Sequence, residues 1–365
     1  MEQIIVEIER KNKEYSIFIG NSILSRIEDF ITSSHKNKRV VLITDDNVKK
    51  LYGTKILEII KPSSPYLISI PARESSKSRE TKQKIEDMLL EKKYGRDTII
   101  IAFGGGVIGD LAGFVASTYC RGVPYIQVPT TLLAMVDSSI GGKTGVDTKY
   151  GKNLIGTTYQ PDGVFTDLDF LNSLPKEEFL NGLVEIIKIA ATSDKELFGF
   201  IENNISSILE KEKNSLTHII KRSIELKKNV VEKDEKESGL RQILNFGHTF
   251  GHAFEAYSDY KAKHGHCISL GIVVESKIAV LTGNLKGKGK KRIASLLEAF
   301  GLPTKINGDS DADKIMEIMI ADKKTLIQKP RFVILMRIGK VKTDKVNFSF
   351  EVDEGIIKKA IEMSK

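Results

Sequence analysis

The sequence predicts two dissimilar units: a doubly wound, Rossmann-like α/β nucleotide-binding domain over residues 1–174, and a mainly α-helical, metal-binding domain over 175–365. Three observations carry this. Short β-branched runs alternate with helical stretches through the first half, the rhythm of a parallel sheet covered on both faces. Glycines at 104, 106 and 109 fall in a G-x-G-x-x-G frame between a strand-like and a helix-like run. After about residue 175 the apolar residues take helical spacing, with few strand-like runs. A length of 365 residues suits two units, since one core rarely grows beyond roughly 250 to 300 residues.

Residues 1–8 and 14–19 alternate apolar and polar positions around the polar turn RKNK, as in a β-hairpin. RVVLITDDN at 39–47 reads as a buried parallel strand with an acidic and amide tip. A helix over about 48–60, a strand at YLISIPA, a helix near 78–94 and a strand at 98–103 follow. The glycine frame comes next, where small residues let the backbone approach a pyrophosphate and a helix N-terminus offers free N–H groups. Asp110 stands in the first turn of that helix, too near the glycines to bind a ribose; Asp45 or Asn47, at an earlier strand end, are candidates for that contact.

Residues 127–156 add a second strand end with Thr130 and Thr131, then a glycine-rich segment carrying Asp137, Lys143, Lys152 and Asn153. Glycines, hydroxyls and lysines so gathered suit phosphate groups. The boundary falls at Leu174-Pro175, because a residue before proline avoids the helical region and a helix can begin at the proline.

Composition narrows the classes. With 41% hydrophobic and 28% charged residues, the chain is expected to fold throughout. The N-terminus lacks the apolar core of a signal peptide and no apolar run reaches about 18 residues, so a cytoplasmic protein without a membrane span is expected. Cys120 and Cys267 lie far apart, outside any C-x-x-C pair, and are expected to be reduced, buried and inert. The net charge of +8 admits nucleic acid, an acidic membrane or a small anion. Its densest run, KGKGKKR at 286–292, contains no aromatic residue for stacking and reads as a solvated surface loop, which disfavours nucleic acid.

Four of the six histidines, His248, His252, His264 and His266, fall within 19 residues. His248 and His252 share a helical face and could share a metal or a substrate; His264 follows a connection long enough to return beside them. A catalytic zinc commonly takes three protein ligands and keeps one position open. Glu185, in the apolar stretch LVEIIKIAA, is the foremost carboxylate candidate, because burying it without a cation is costly. Lys188, three residues on, could neutralise it instead. In LRQILNFGH, Arg241, Asn245 and His248 would share one face of a continuous helix, aiming a guanidinium toward the metal; an ordinary pair with Glu237, four residues earlier, is the alternative.

GGGVIGDLAGFVASTYCRGVPYIQVPTTLLAMVDSSIGGKTGVD, GKNLIGTTYQP, LVEIIK, ESGLRQILNFGHTFGHAFE and HGH, in this order and spacing, resemble the 3-dehydroquinate synthase family. The match runs from about residue 40 to 340 and is most specific between 98 and 270. The resemblance implies a zinc or cobalt site made by Glu185, His248 and His264, with His252 on the substrate side. For NAD it implies Asp45 and Asn47, then Glu74 and Lys77. It adds the loop of Gly105, Gly106, Val107, Ile108, Gly109 and Asp110, the strand-end pair Thr130 and Thr131, and Lys143 with Lys152. Phe170, Leu171, Asn172, Ser173 and Asn181 complete that set.

For an anionic sugar-acid phosphate the resemblance implies Asp137, Lys143, Asn153, Lys188, Lys227, Arg241, Asn245 and the segment ending in Lys324. Arg121 would reach the site of a neighbouring subunit in a homodimer, and Glu237 and His252 match proposed proton acceptors. Ala72-Arg73-Glu74 stands where the family usually has Pro-Gly-Glu. His266 stands where it has glutamate, which makes His266 a further possible ligand. The implied reaction oxidises a secondary hydroxyl with NAD, eliminates phosphate, returns the hydride and closes a carbocycle by an aldol step. Its rivals are cyclases of neutral sugar phosphates, metal-dependent polyol dehydrogenases, and a non-enzymatic nucleic-acid binder.

Overall fold

Alternation along the strands divides the apolar residues between the two faces of one sheet. The computed structural model describes residues 13–324, 329–344 and 346–365, without the side chains of 322–324. Six strands, β1 (Ser16–Gly20), β2 (Arg39–Asp45), β3 (Tyr66–Ile70), β4 (Thr98–Gly104), β5 (Tyr125–Pro129) and β8 (Gly163–Asp167), pair in parallel in the order β1-β8-β5-β4-β2-β3. Val41 and Ile43 of β2 and Ile100 of β4 face one way, onto α3 (Arg79–Glu91) and α4 (Gly106–Thr118). Val40 and Leu42, with Ile99, Ile101 and Phe103, face the other way, onto α1 (Ser25–Ser34) and α2 (Asp46–Ile59).

That second face continues without interruption into the helices of the C-terminal half. These are α5 (Lys176–Ser193), α6 (Lys195–Asn203), α7 (Ile205–Leu209), α8 (Lys213–Lys233), α9 (His248–Tyr257), α10 (His264–Leu281), α11 (Gly287–Ala299), α12 (Ala312–Lys324) and α13 (Glu354–Glu362). By length and composition α10 could cross a membrane, but 78% of it is buried inside the protein, as in a core helix. Four strands of two or three residues lie between 331 and 351, too short to leave an alternating pattern.

Strand order reverses between β2 and β4, whose C-terminal ends are neighbours in register, Thr44 opposite Phe103. A crevice therefore opens between Asp45 and the glycine loop, where open α/β sheets bind ligands.

Several expectations need correction. Of the hairpin-like start, residues 16–20 form β1, which pairs in parallel with β8, while the proposed partner at 1–8 lies outside the described residues. The glycine-rich segment is ordered as an antiparallel hairpin, β6 (Lys143–Thr148) with β7 (Gly151–Thr158), because Gly145 and Gly156 let the two backbones close tightly. The basic run is no loop but the start of α11, whose Ile293, Leu296 and Leu297 anchor it to the core. Cys267 is buried, its thiol pushed up to about 12 by burial, whereas Cys120 is only half-buried; both are free.

Candidate metal and nucleotide site

Glu185 sits in the middle of α5, an apolar helix buried along most of its length, and is 3% exposed. One carboxylate oxygen, Oε2, is paired with Lys188 one turn on. The other, Oε1, is buried and accepts no hydrogen bond. Two imidazole nitrogens face it at distances too long to hydrogen-bond: His248 Nε2 at 3.7 Å and His264 Nε2 at 3.6 Å. An orphaned carboxylate oxygen and two convergent nitrogens form a donor set that fits a divalent ion such as zinc or cobalt.

The supports of these ligands reinforce that reading. His264 opens α10, and its Nδ1 lies 2.7 Å from Oε1 of Glu255, which is 3% exposed. His248 opens α9, with Nδ1 3.4 Å from the Phe246 carbonyl. A carboxylate behind a ligating histidine orients the ring and raises its basicity. Sequence reasoning missed Glu255. Its signal was present: in HTFGHAFE it stands seven residues after His248, two turns on and on the same helical face. His252, Glu255 and His264 form a second, overlapping grouping of possible ligands. His266 is half-buried and, among the described residues, joins neither grouping.

The electrostatics are divided. Burial pushes His248 well below its ordinary value, reinforced by the charge of Lys188. Burial also opposes protonation of His264, but Glu185 and Glu255 outweigh it and raise the ring to about 9. Burial opposes ionisation of Glu185 in turn, yet Lys188 and His248 hold it well below the usual carboxylate range.

Beside Glu185, His248 and His264 lies a group of buried cations. Asp137 belongs to a π-helical turn, Ala134–Ser138, of the kind often found at functional sites. It accepts from Lys227 of α8 through both its carboxylate (2.5 Å) and its carbonyl (2.6 Å). Burial lowers the Lys227 ammonium against the opposing pull of Asp137, and Lys188 and Arg241 add to the lowering. Lys143, on the exposed hairpin, pairs with Glu237, which also accepts from Asn245 Nδ2 at 2.5 Å. Burial raises Glu237, but Lys143 outweighs it and keeps the group a carboxylate.

Arg241 requires a second correction. The expected continuous helix is broken: a 3₁₀ segment, Leu240–Asn245, ends at Phe246, and Gly247 turns the chain at φ 84° before α9 begins. Arg241 is nonetheless 2% exposed and donates to the carbonyls of Glu235 (2.6 Å) and Gly141 (3.3 Å). Among the described residues no carboxylate lies within ion-pair distance of it, so the pair with Glu237 does not form.

The residues assigned to the nucleotide surround the crevice unevenly. Gly105, Gly106 and Val107 are half-buried at the start of α4, while Ile108 and Gly109 are packed against the sheet. Asp110, half-buried, accepts from Lys77 Nζ at 2.5 Å, and Lys77 also meets Asn153 of β7. Asp45 caps α2, one of its carboxylate oxygens accepting from the N–H groups of both Asn47 and Val48. Lys152 lies 3.9 Å from both Glu74 and Glu255, so the hairpin bridges the nucleotide side and the metal side. Thr130 is buried, and Thr131 Oγ1 caps the turn at Ala134 N.

Phe170 and Leu171 are core side chains, Phe170 packing on Tyr52 and Phe103, which leaves Asn172 and Ser173 as the exposed members of that turn. Asn181 accepts from Gly265 N at 3.0 Å and so ties α5 to the first turn of α10. Arg121 is exposed beyond α4, and its side chain makes no hydrogen bond or ion pair among the described residues. The Lys324 side chain lies outside the described residues.

Comparison with known proteins places this geometry in context. Two family models match in tandem: 3-dehydroquinate synthase N-terminal over residues 67–181, and 3-dehydroquinate synthase C-terminal over residues 182–325. A 3-dehydroquinate synthase of Thermodesulfovibrio yellowstonii is 43% identical over 364 residues, 99% of both chains. Another, of Thermoanaerobacter pseudethanolicus, is 44% identical over 349 residues, covering 93% of this chain and 96% of its own. A crystal structure of 2-deoxy-scyllo-inosose synthase complexed with carbaglucose-6-phosphate, NAD+ and Co2+ superposes with a TM-score of 0.88 at 27% identity, covering 96% of each chain.

Proposed function

The chain belongs to the 3-dehydroquinate synthase family, and from that premise we propose that it converts 3-deoxy-D-arabino-heptulosonate 7-phosphate to 3-dehydroquinate and phosphate, a step of aromatic amino acid biosynthesis. The observation that carries the choice of an acidic substrate is Arg241. It is a buried guanidinium that donates to carbonyls only and, among the described residues, has no carboxylate within ion-pair distance. A substrate carboxylate would complete it as a bidentate pair, whereas a neutral sugar phosphate would leave it facing no anion.

Bound NAD would accept and return a hydride, and a divalent ion on Glu185, His248 and His264 would act as a Lewis acid toward substrate oxygens. The chain's own side chains do the rest. Asp137 fixes the Lys227 ammonium, Lys188 screens Glu185, and Lys143 with Asn153 faces the phosphate from the hairpin. Glu237, held ionised by Lys143, is a weak base, which suits an elimination in which the departing phosphate takes the proton itself. His252, its ring 5.1 Å from that of His248, is the other proton acceptor. Asp45, Asn47, Glu74, Lys77, Asp110, Thr130, Thr131 and Lys152 would hold the nucleotide around the crevice.

In this reading residues 1–174 serve NAD and 175–365 serve metal and substrate, and the exposed Arg121 completes the site of a second copy in a homodimer. The test mixes purified protein, catalytic NAD, zinc or cobalt and the seven-carbon keto-acid phosphate, and follows phosphate release and the carbocyclic product. The same assay with a carboxylate-free sugar phosphate should give little or no turnover; equal turnover would transfer the assignment to a cyclase of neutral sugars.

A further inference from the structure

The basic run at 286–292 is not used by the catalytic site, yet its Lys290 is not simply solvated. It helps line a cavity of about 210 Å³ between α10, α11 and the end of α13, together with Lys277, Lys305 and Lys365. One carboxylate, Glu298, shares the lining and accepts from Thr304 Oγ1 at 2.6 Å. Lys365 is paired with Glu362 at 2.7 Å. Among the described residues, Lys277, Lys290 and Lys305 have no carboxylate within ion-pair distance. Lys277 donates only to neutral acceptors, the Met363 carbonyl and Ser364 Oγ.

Three lysines without a carboxylate partner thus line one cavity, together with Val273, Ile293 and Met363. Burial lowers Lys277 to about 8, and Lys290 and Lys305 add to the effect by repulsion. Like charges gathered with one acidic side chain, Glu298, in the same lining are stabilised by a bound anion. A dianion with three acceptor oxygens answers three such point donors better than a monovalent ion does. The position is separate from the metal site: Lys277 lies on the same helix as His264, roughly 20 Å along its axis.

We propose that this pocket is a second anion site, which binds a phosphoryl dianion, either inorganic phosphate or a phosphate monoester. Phosphate is a product of the proposed reaction, so such a site would sense product at a distance from the chemistry. The test uses acylation of Lys277 by an amine-specific ester, followed residue by residue by mass spectrometry of the intact, metal- and NAD-loaded protein. Measurements are made with inorganic phosphate, with glucose 6-phosphate, and with sodium chloride at matched ionic strength.

Bound phosphoryl oxygens should hold Lys277 protonated and covered, slowing its acylation at least about threefold relative to chloride. The Lys290→Ala/Lys305→Ala protein should lose this protection. Protection by only one of the two ligands would identify the source. Because the readout is at Lys277, phosphate bound at the catalytic centre does not contribute. Equal acylation in all three salts, or protection unchanged in the double variant, would overturn the proposal. Should the double variant fail to fold, the comparison of salts on the unsubstituted protein decides alone.

Discussion

Glu185 faces two sets of partners at once, Lys188 on one oxygen and the histidine pair on the other, and this division fits it to hold a metal ion rather than to serve only as half of an ion pair. His248→Ala and His264→Ala should therefore each lose bound metal and turnover, while His252→Ala keeps the metal and loses activity, as measured by metal analysis of the purified proteins. Loss of metal from His252→Ala would instead favour the grouping with Glu255. The protonation states give a second expectation. In the metal-free protein His264 is raised to about 9, so it is protonated at neutral pH, whereas His248 is already neutral. Ligation requires the neutral ring, so metal binding at about pH 7.5 should release close to one proton, and apparent affinity should rise with pH until about 9. Calorimetry in buffers of different ionisation enthalpy would measure it; no release would place the ion elsewhere. For Arg241, removing one partner of a desolvated charge pair typically costs on the order of 2–5 kcal/mol, so Arg241→Ala should lower kcat/KM by roughly 30-fold to several thousand-fold. A purely structural arginine would leave the ratio between acidic and neutral substrates unchanged.

Between elements, the geometry of the metal site depends on how closely α9 approaches α10. Gly247 turns the chain into α9, and its carbonyl lies where a Cβ on Gly271 of α10 would come within 1.9 Å. No rotamer relieves a clash with backbone, so Gly271→Ala should push the two helices apart. Overpacking of this kind costs about 1–3 kcal/mol, or more against rigid backbone. Because His248 and His264 open these same two helices, metal affinity should fall further than the melting temperature alone would imply. Thermal melts with and without metal would show it, by a metal-dependent gain in Tm that shrinks in the variant. The hairpin of β6 and β7 plays a comparable part, since Lys143 and Lys152 reach Glu237, Glu74 and Glu255 from it.

For the molecule as a whole, net oxidation and an internal hydride loop differ in what accumulates. The proposed reaction returns the hydride, so NAD well below the concentration of substrate should support many turnovers without growth of NADH absorbance. Stoichiometric NADH would point to a polyol dehydrogenase. The continuous core that joins the sheet to the C-terminal helices bears on this, because it ties the crevice at β2 and β4 to the helices that carry Glu185, His248 and His264.

The alternation of β-branched runs and helices, the glycine frame and the helical spacing of apolar residues were sufficient to predict the parallel sheet, the loop at its crevice and the helices that carry Glu185 and His248. Each is a local pattern, set by the period of a strand or a helix, and local periods are written in neighbouring residues. What only the tertiary structure decided are relations across long separations. Lys77 meets Asp110 and Asn153, Lys227 meets Asp137, and Glu255 stands behind His264. Nor could spacing reveal that Gly247 breaks the helix through Arg241, since an adjacent helix, not its own period, demands that turn. The basic run shows the same limit: lysines interleaved with glycine look like solvated loop until Ile293, Leu296 and Leu297 anchor them as a helix. Contacts of this kind depend on packing between elements, and packing is a property of the folded chain rather than of any stretch of it.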